Sequence, residues 1–151
     1  MDDDVIDREF AASVREGLGA SPKRLSSRYF YDATGDILFQ KIMASPEYYL
    51  TDCEREILRD QGLDIARAAG AEGAFELVEL GAGDGSKMCH LIDALHALGS
   101  EFVFKPLDIS ANVLDLLEER LRPGRPWLVM EPIAGNYMHW LAEPRRPGVR
   151  E

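Results

Sequence analysis

Residues 79–87 read ELGAGDGSK, with glycines at 81, 83 and 85 behind Glu79. Upstream stands FELVEL, a short apolar run rich in strand-forming residues, and downstream SKMCHLIDALHALG sets Met88, Leu91, Ile92, Leu95 and Leu98 at helical spacing. A strand that ends in glycines and feeds a helix belongs to a doubly wound α/β sheet, where ligands bind at the carboxyl ends of the strands. Bare backbone at that point lets amides and a helix N-terminus approach a ligand with no side chain between them.

The alternation continues outward from there. EFVFKPLDIS predicts a second strand, SANVLDLLEERL a helix capped by Ser110, and RPWLVMEPIAG a third strand after a Pro/Gly turn. The expected fold is therefore α/β and Rossmann-like, with three parallel strands in residues 72–151. Residues 1–71 read as a helical segment instead. VIDREFAASVREGL predicts a helix over about residues 4–18, with Val5, Phe10, Val14 and Leu18 at helical spacing. Asp36 is placed to cap a short helix, ILFQKIMA, that must stop before Pro46. Thr51 and Glu54 form a capping-box signature for a helix running to Ala69 and closed by Gly70.

Composition narrows the partners. The 151 residues suit one domain or part of one, and 46% hydrophobic with 29% charged residues is ordinary globular usage. No apolar run approaches a membrane span, and the opening MDDDVIDREF is acidic where an export signal would be basic and then apolar. The cytosol is the expected compartment. Seventeen basic against 27 acidic residues leave a net charge of −10, which argues against nucleic acid, since phosphate neutralisation carries most of that affinity. Cys53 and Cys89 form no CxxC, and His90, His96 and His139 lack ligand spacing, so no metal centre is expected.

Two cofactor classes use a glycine-rich strand end. A dinucleotide fingerprint, G-x-G-x-x-G, fails here because its third glycine position is Ser86. What stands instead is E-x-G-x-G-x-G, the pattern of class I methyltransferases that use S-adenosylmethionine. That cofactor has no pyrophosphate, so an acidic strand end is acceptable beside its sulfonium and ammonium groups. Asp108, at the end of the second strand, falls where a carboxylate accepts from ribose hydroxyls. After the third strand, Asn136 is suited to the edge of an adenine and Tyr137 to its face. Taken singly these residues have plainer readings: a tight turn for Gly81, Gly83 and Gly85, a helix-capping carboxylate for Asp108, core packing for Tyr137 and Trp140, a surface lysine for Lys87.

Residues 27–58, SRYFYDATGDILFQKIMASPEYYLTDCEREIL, resemble a more specific pattern. They are similar to the N-terminal signature of the histidine-specific N-alpha-methyltransferases of ergothioneine biosynthesis, and the likeness runs from about Pro22 to about Leu141. The resemblance implies a methyltransferase that binds S-adenosylmethionine and a small-molecule amino-acid substrate, by analogy histidine. It implies substrate-side roles for Tyr48 and Tyr31, cofactor contacts for Gly81 and Lys87, a ribose-binding role for Asp108, and adenine contacts for Asn136 with Tyr137. Three departures accompany it. The adenine-edge position is usually aspartate in that family and is Asn136 here, the loop reads GAGDG where a serine- or threonine-rich continuation is usual, and the family's chains extend well beyond residue 151.

The reaction so implied is methyl transfer to an amine, for which positioning supplies most of the acceleration and no nucleophilic side chain is needed. Two further readings stand beside it: a truncated or split cofactor-binding module without turnover, acting with a complementing chain if at all, and a nicotinamide-dependent oxidoreductase favoured only by the general α/β pattern. A sheet of three parallel strands would leave the first strand exposed along one edge.

Overall fold

The computed structural model describes residues 3–69 and 73–142. Gly70, expected to close the third helix, lies outside the described residues, as does the basic tail from Arg145. The N-terminal segment carries helix α1 (Asp3–Gly19), a short 3-10 turn (Ser27–Phe30), helix α2 (Ala33–Met43) and helix α3 (Leu50–Ala69). Then come strand β1 (Phe75–Leu80), helix α4 (Cys89–Ala97), strand β2 (Phe102–Asp108) and helix α5 (Ala111–Leu121). Two short strands, β3 (Val129–Met130) and β4 (Ile133–Ala134), and helix α6 (Tyr137–Ala142) complete the order.

The expected α/β alternation with a parallel sheet is what forms. β1 pairs with β2 from Phe75↔Phe102 to Leu80↔Leu107, and β2 pairs on its other side with β3 and β4. β2 is thus the central strand, and among the described residues β1 pairs with β2 alone. The third strand was expected to be continuous but is split. Its register does not slip, since Phe104 faces Met130 and Leu107 faces Ile133 at the same offset. The cause lies in β2. Phe104 and Asp108 accept from Glu131 and Gly135 through their carbonyls, so the even-numbered residues of β2 bond toward this side. Pro106 falls between them and has no N–H to give, which breaks the ladder.

Apolar residues of the helices cover the sheet. Leu114, Leu117 and Leu121 recur at helical spacing on α5 and are buried with Ile92, Phe104 and Leu128. α4 adds a smaller cluster in which Ala94 and Leu95 meet Ala66 of α3, with Phe75 and Phe102 stacked beside it at a ring separation of 5.7 Å. Small residues at the α3–α4 contact let the helices come close: the position a Cβ would take on Gly62 is 3.5 Å from the Ala94 methyl.

Two helix starts differ from the sequence reading. α2 is capped by Asp32, whose carboxylate accepts from the Gly35 amide at 2.7 Å, so the helix begins one turn earlier than a cap at Asp36 would allow. Glycine is required there, because a Cβ at position 35 would lie 1.6 Å from the Phe30 carbonyl oxygen. Asp36, freed from capping, is buried at 6% exposure and turns toward α5. α3 begins at Leu50, which leaves Thr51 buried inside the helix rather than at its cap. Glu54 does not close a capping box; its carboxylate pairs with Lys87.

Ser110 is the predicted cap of α5, accepting from the Val113 amide at 3.3 Å. No helix among the described residues is long and apolar enough to cross a membrane.

Candidate functional site

A cavity of about 520 Å³ opens where β1, β2 and β4 end. That is ample for a nucleoside with an amino-acid tail. Its floor is the segment after β1. Gly81 and Ala82 both donate their amides to the Leu107 carbonyl, at 2.8 and 3.1 Å, which turns the chain sharply away from the sheet. Gly81, Gly83 and Gly85 have φ values of 72°, 58° and 68°, a left-handed conformation that L side chains rarely adopt. Their roles then divide. A Cβ on Gly81 or Gly83 would meet nothing within 4 Å, so bare backbone faces open space at both positions. Gly85 is buried, and a Cβ on it would stand 2.9 Å from Leu117 Cγ.

Asp108 is the hub of the floor. Its Oδ2 accepts from the Gly83 amide and its Oδ1 from the Ser110 amide, each at 3.0 Å, so one carboxylate joins the glycine segment to the start of α5. Asp84 adds a second tie: Oδ1 accepts from the Ser86 amide at 3.1 Å, and Oδ2 takes Arg120 of α5 at 2.5 Å. Lys87 was expected in the first turn of the following helix. It stands instead in the turn before α4, because the glycine segment uses the intervening residues, and it pairs with Glu54.

Glu79 lies beneath this floor. Its Oε2 is sealed from solvent and, among the described residues, is the buried side-chain oxygen or nitrogen without a hydrogen-bond partner. Burial pushes its carboxyl up to about 8; Lys87 opposes the rise, while Asp108, Glu54 and Asp84 add to it. The group is therefore largely protonated near neutral pH.

One wall comes from the turn into α6. Asn136 Oδ1 accepts from the Met138 amide at 2.8 Å, an Asx turn that starts the helix, and Tyr137 stands exposed at the rim. The opposite wall is the N-terminal segment, through Tyr31, Asp36, Phe39, Gln40 and Met43. Tyr31 meets Phe39 edge to face at 6.3 Å, and Phe39 meets Tyr48 in the same way at 6.0 Å.

Of the residues singled out in the sequence, Tyr31, Gly81, Gly83, Lys87, Asp108, Asn136 and Tyr137 line the cavity together. Gly85 and Tyr48 do not. Gly85 lies against α5, and Tyr48 reaches the cavity only by way of the Phe39 ring. The sequence reading missed Asp36, Phe39, Gln40 and Met43. For Phe39 a signal existed in the leucine-phenylalanine pair of the signature stretch, whereas Asp36 was masked by its reading as a cap.

The lining suits S-adenosylmethionine. Its ionic groups are Asp36, Asp84 and Asp108 against Lys87, a balance that would repel a pyrophosphate and accommodate a cationic tail. Bare backbone at Gly81 and Gly83 leaves room for close approach, and Asn136 and Tyr137 offer a polar edge and an aromatic face.

Comparison with known proteins agrees. The family model for histidine-specific, SAM-dependent methyltransferases matches residues 10–150. The histidine N-alpha-methyltransferase of Mycobacterium tuberculosis is 37% identical over 137 residues, covering 91% of this chain and 42% of that protein. Its counterpart in Mycolicibacterium smegmatis is 38% identical over 130 residues, covering 86% of this chain and 40% of that one. A 4-dimethylallyltryptophan N-methyltransferase of Claviceps fusiformis is 31% identical over 112 residues, covering 74% and 31% respectively. The chain thus spans about two-fifths of the length of the two bacterial relatives. By a match that runs over residues 10–150, this chain belongs to the family of SAM-dependent, histidine-specific methyltransferases.

Proposed function

We propose that the protein carrying these residues transfers methyl groups from S-adenosylmethionine to the amine nitrogen of an amino acid, with the α-amino group of histidine as the first acceptor to test. The observation that carries this is the single cavity in which the glycine segment, Asp108 and Asn136 face Tyr31 and the Phe39 ring. In this reading residues 72–151 supply the cofactor side and residues 1–71 the acceptor side. Asp108 accepts from the ribose hydroxyls, Asn136 and Tyr137 meet the adenine, and Lys87 turns from Glu54 toward the carboxylate of the cofactor tail. Bound there, S-adenosylmethionine supplies an electrophilic methyl group.

The chain's own contribution is placement. An amine attacks only when unprotonated and in line, so the acceptor side has to strip water from the nitrogen and fix its direction. Tyr31, Phe39 and Tyr48 form a continuous aromatic run suited to that task, in which Tyr31 brings a hydroxyl to the cavity for a polar acceptor and Tyr48 supports the Phe39 ring from behind. The carboxylates around the floor favour the cationic ground state of the cofactor.

The test is binding of S-adenosylhomocysteine by the protein in the length its own cells make, followed by methyl transfer to histidine and then to tryptophan derivatives. No binding overturns the cofactor assignment; binding with transfer to another amine overturns the acceptor alone. A second reading, cofactor binding without turnover by these 151 residues, draws on the coverage of the relatives and on the single partner of β1 among the described residues. Methyl transfer by the 151-residue chain itself overturns that reading.

A further inference from the structure

Beyond its share of the cavity's charge, Asp36 contacts neither cofactor nor acceptor in the reading above, yet it is one of the most deeply buried polar groups described, at 6% exposure, and it lines the cavity. A carboxylate is expensive to bury unless hydrogen bonds compensate it. Two do so, and both come from the start of α5, 74 and 76 positions away along the chain. Ser110 Oγ donates to Asp36 Oδ2 at 2.5 Å, and Asn112 Nδ2 donates to the same oxygen at 3.2 Å.

Ser110 makes this more than a tie between helices. Its amide donates to Asp108 Oδ1, its hydroxyl donates to Asp36, and the same hydroxyl oxygen accepts from Val113 to cap α5. A continuous path therefore runs from the Gly83 amide through Asp108 and Ser110 to α2. α2 carries Phe39, Gln40 and Met43 into the cavity, and Phe39 contacts both Tyr31 and Tyr48. Whatever moves Asp108 moves Ser110, and a shift at Ser110 is felt by the one carboxylate that anchors the aromatic wall.

Resting on the assignment of the cavity to S-adenosylmethionine, we propose that Asp36 is a positioning residue that couples occupation of the Asp108 site to the placement of the acceptor wall on α2. Ligand hydroxyls bonding to Asp108 tighten the Ser110 contacts, and Asp36 transmits this to α2, so cofactor binding orders the acceptor side before the acceptor arrives. Coupling of this kind is reciprocal: an acceptor that holds α2 in place strengthens cofactor binding by the same factor.

The test uses S-adenosylhomocysteine as the probe and amide hydrogen exchange along α2 as the readout, on the protein in the length its cells make. In the unaltered protein, saturating ligand slows α2 exchange several-fold. Asp36→Asn takes the charge from the bond that carries the path, and Ser110→Ala removes that bond while the residue's amide still donates to Asp108 Oδ1. In both variants S-adenosylhomocysteine still binds, weakened roughly tenfold or less, but saturating ligand no longer slows α2. A merely structural role would raise α2 exchange with and without ligand alike and preserve the difference between them. Persistence of that difference in both variants overturns the inference, and if either variant does not fold, the other decides alone. Failure of the unaltered protein to bind S-adenosylhomocysteine overturns the cofactor assignment and this inference with it; binding without slowing of α2 overturns the inference only.

Discussion

The Gly83 amide donates to Asp108 Oδ2 across 3.0 Å, joining the turn after β1 to the end of β2 by a side chain rather than by the sheet ladder. Ser110 occupies the other oxygen at the same distance. Both acceptors are needed, and an amide side chain has one. In Asp108→Asn, whichever way the amide is turned, an NH2 group faces a backbone N–H. Stability should fall by about 1–3 kcal/mol, seen as a lower Tm, and affinity for S-adenosylhomocysteine by tenfold or more. Thermal unfolding and calorimetric titration check the two; unchanged values in both would mean that Asp108 is an ordinary surface carboxylate.

Gly85 and Gly81 share a left-handed backbone but not an environment. Gly81→Ala meets only the conformational cost, about 1–2 kcal/mol. Gly85→Ala adds a clash with Leu117 and Leu121, which are themselves fully buried, for a total of about 3 kcal/mol or more. Urea unfolding should rank Gly85→Ala well below Gly81→Ala in stability, whereas ligand binding should suffer at Gly81, which faces the cavity.

Most of the sheet was legible in the sequence because buried parallel strands leave a local signature: FELVEL and FVFKPLD are apolar runs closed by the very residues that turn the chain. The split of the third strand was not legible, since its cause, Pro106, sits on the neighbouring strand and matters only once the pairing is known. The glycine segment, Asp108 and Asn136 could be read because each sits at a strand end. Asp36 and Glu54 could not. Both match capping patterns, and a capping pattern is a statement about four neighbouring residues; the partners these carboxylates choose, Ser110 and Lys87, are 74 and 33 positions away. Long-range polar pairs leave no periodicity to read.

Glu79 makes a pH prediction whose sign follows from burial. The unfolded chain ionises this group near 4.5, and the fold raises it to about 8, so between those values the folded state holds the extra proton. Its contribution to stability is undiminished below the lower value, declines as pH rises, and levels off above the higher one, a loss on the order of a few kcal/mol. Glu79→Gln keeps the shape without the charge and should flatten that part of the profile. Urea midpoints from about pH 5 to about pH 9, compared between the two proteins, measure the difference. Parallel profiles would show that Glu79 ionises in the fold as it does in the unfolded chain.

Asn136 offers a gain rather than a loss. Its Oδ1 already accepts from the Met138 amide to begin α6, which leaves the amide nitrogen, a donor, as the other polar atom at the cavity wall. An adenine presents its exocyclic amine as a donor, so the residue meets it with its one acceptor already engaged. Asn136→Asp supplies a second acceptor oxygen while the first continues to hold Met138. The substitution should tighten S-adenosylhomocysteine binding by several-fold up to about tenfold, with little change in Tm, because the Asx turn is retained. It should not tighten the inosine analogue, whose exocyclic carbonyl oxygen, in place of the amine, would face a carboxylate. Calorimetric titration of both ligands against both proteins separates the cases: a gain confined to the adenine ligand places that edge at residue 136, and an equal gain for both would assign the effect to general electrostatic attraction of the ligands' ammonium group.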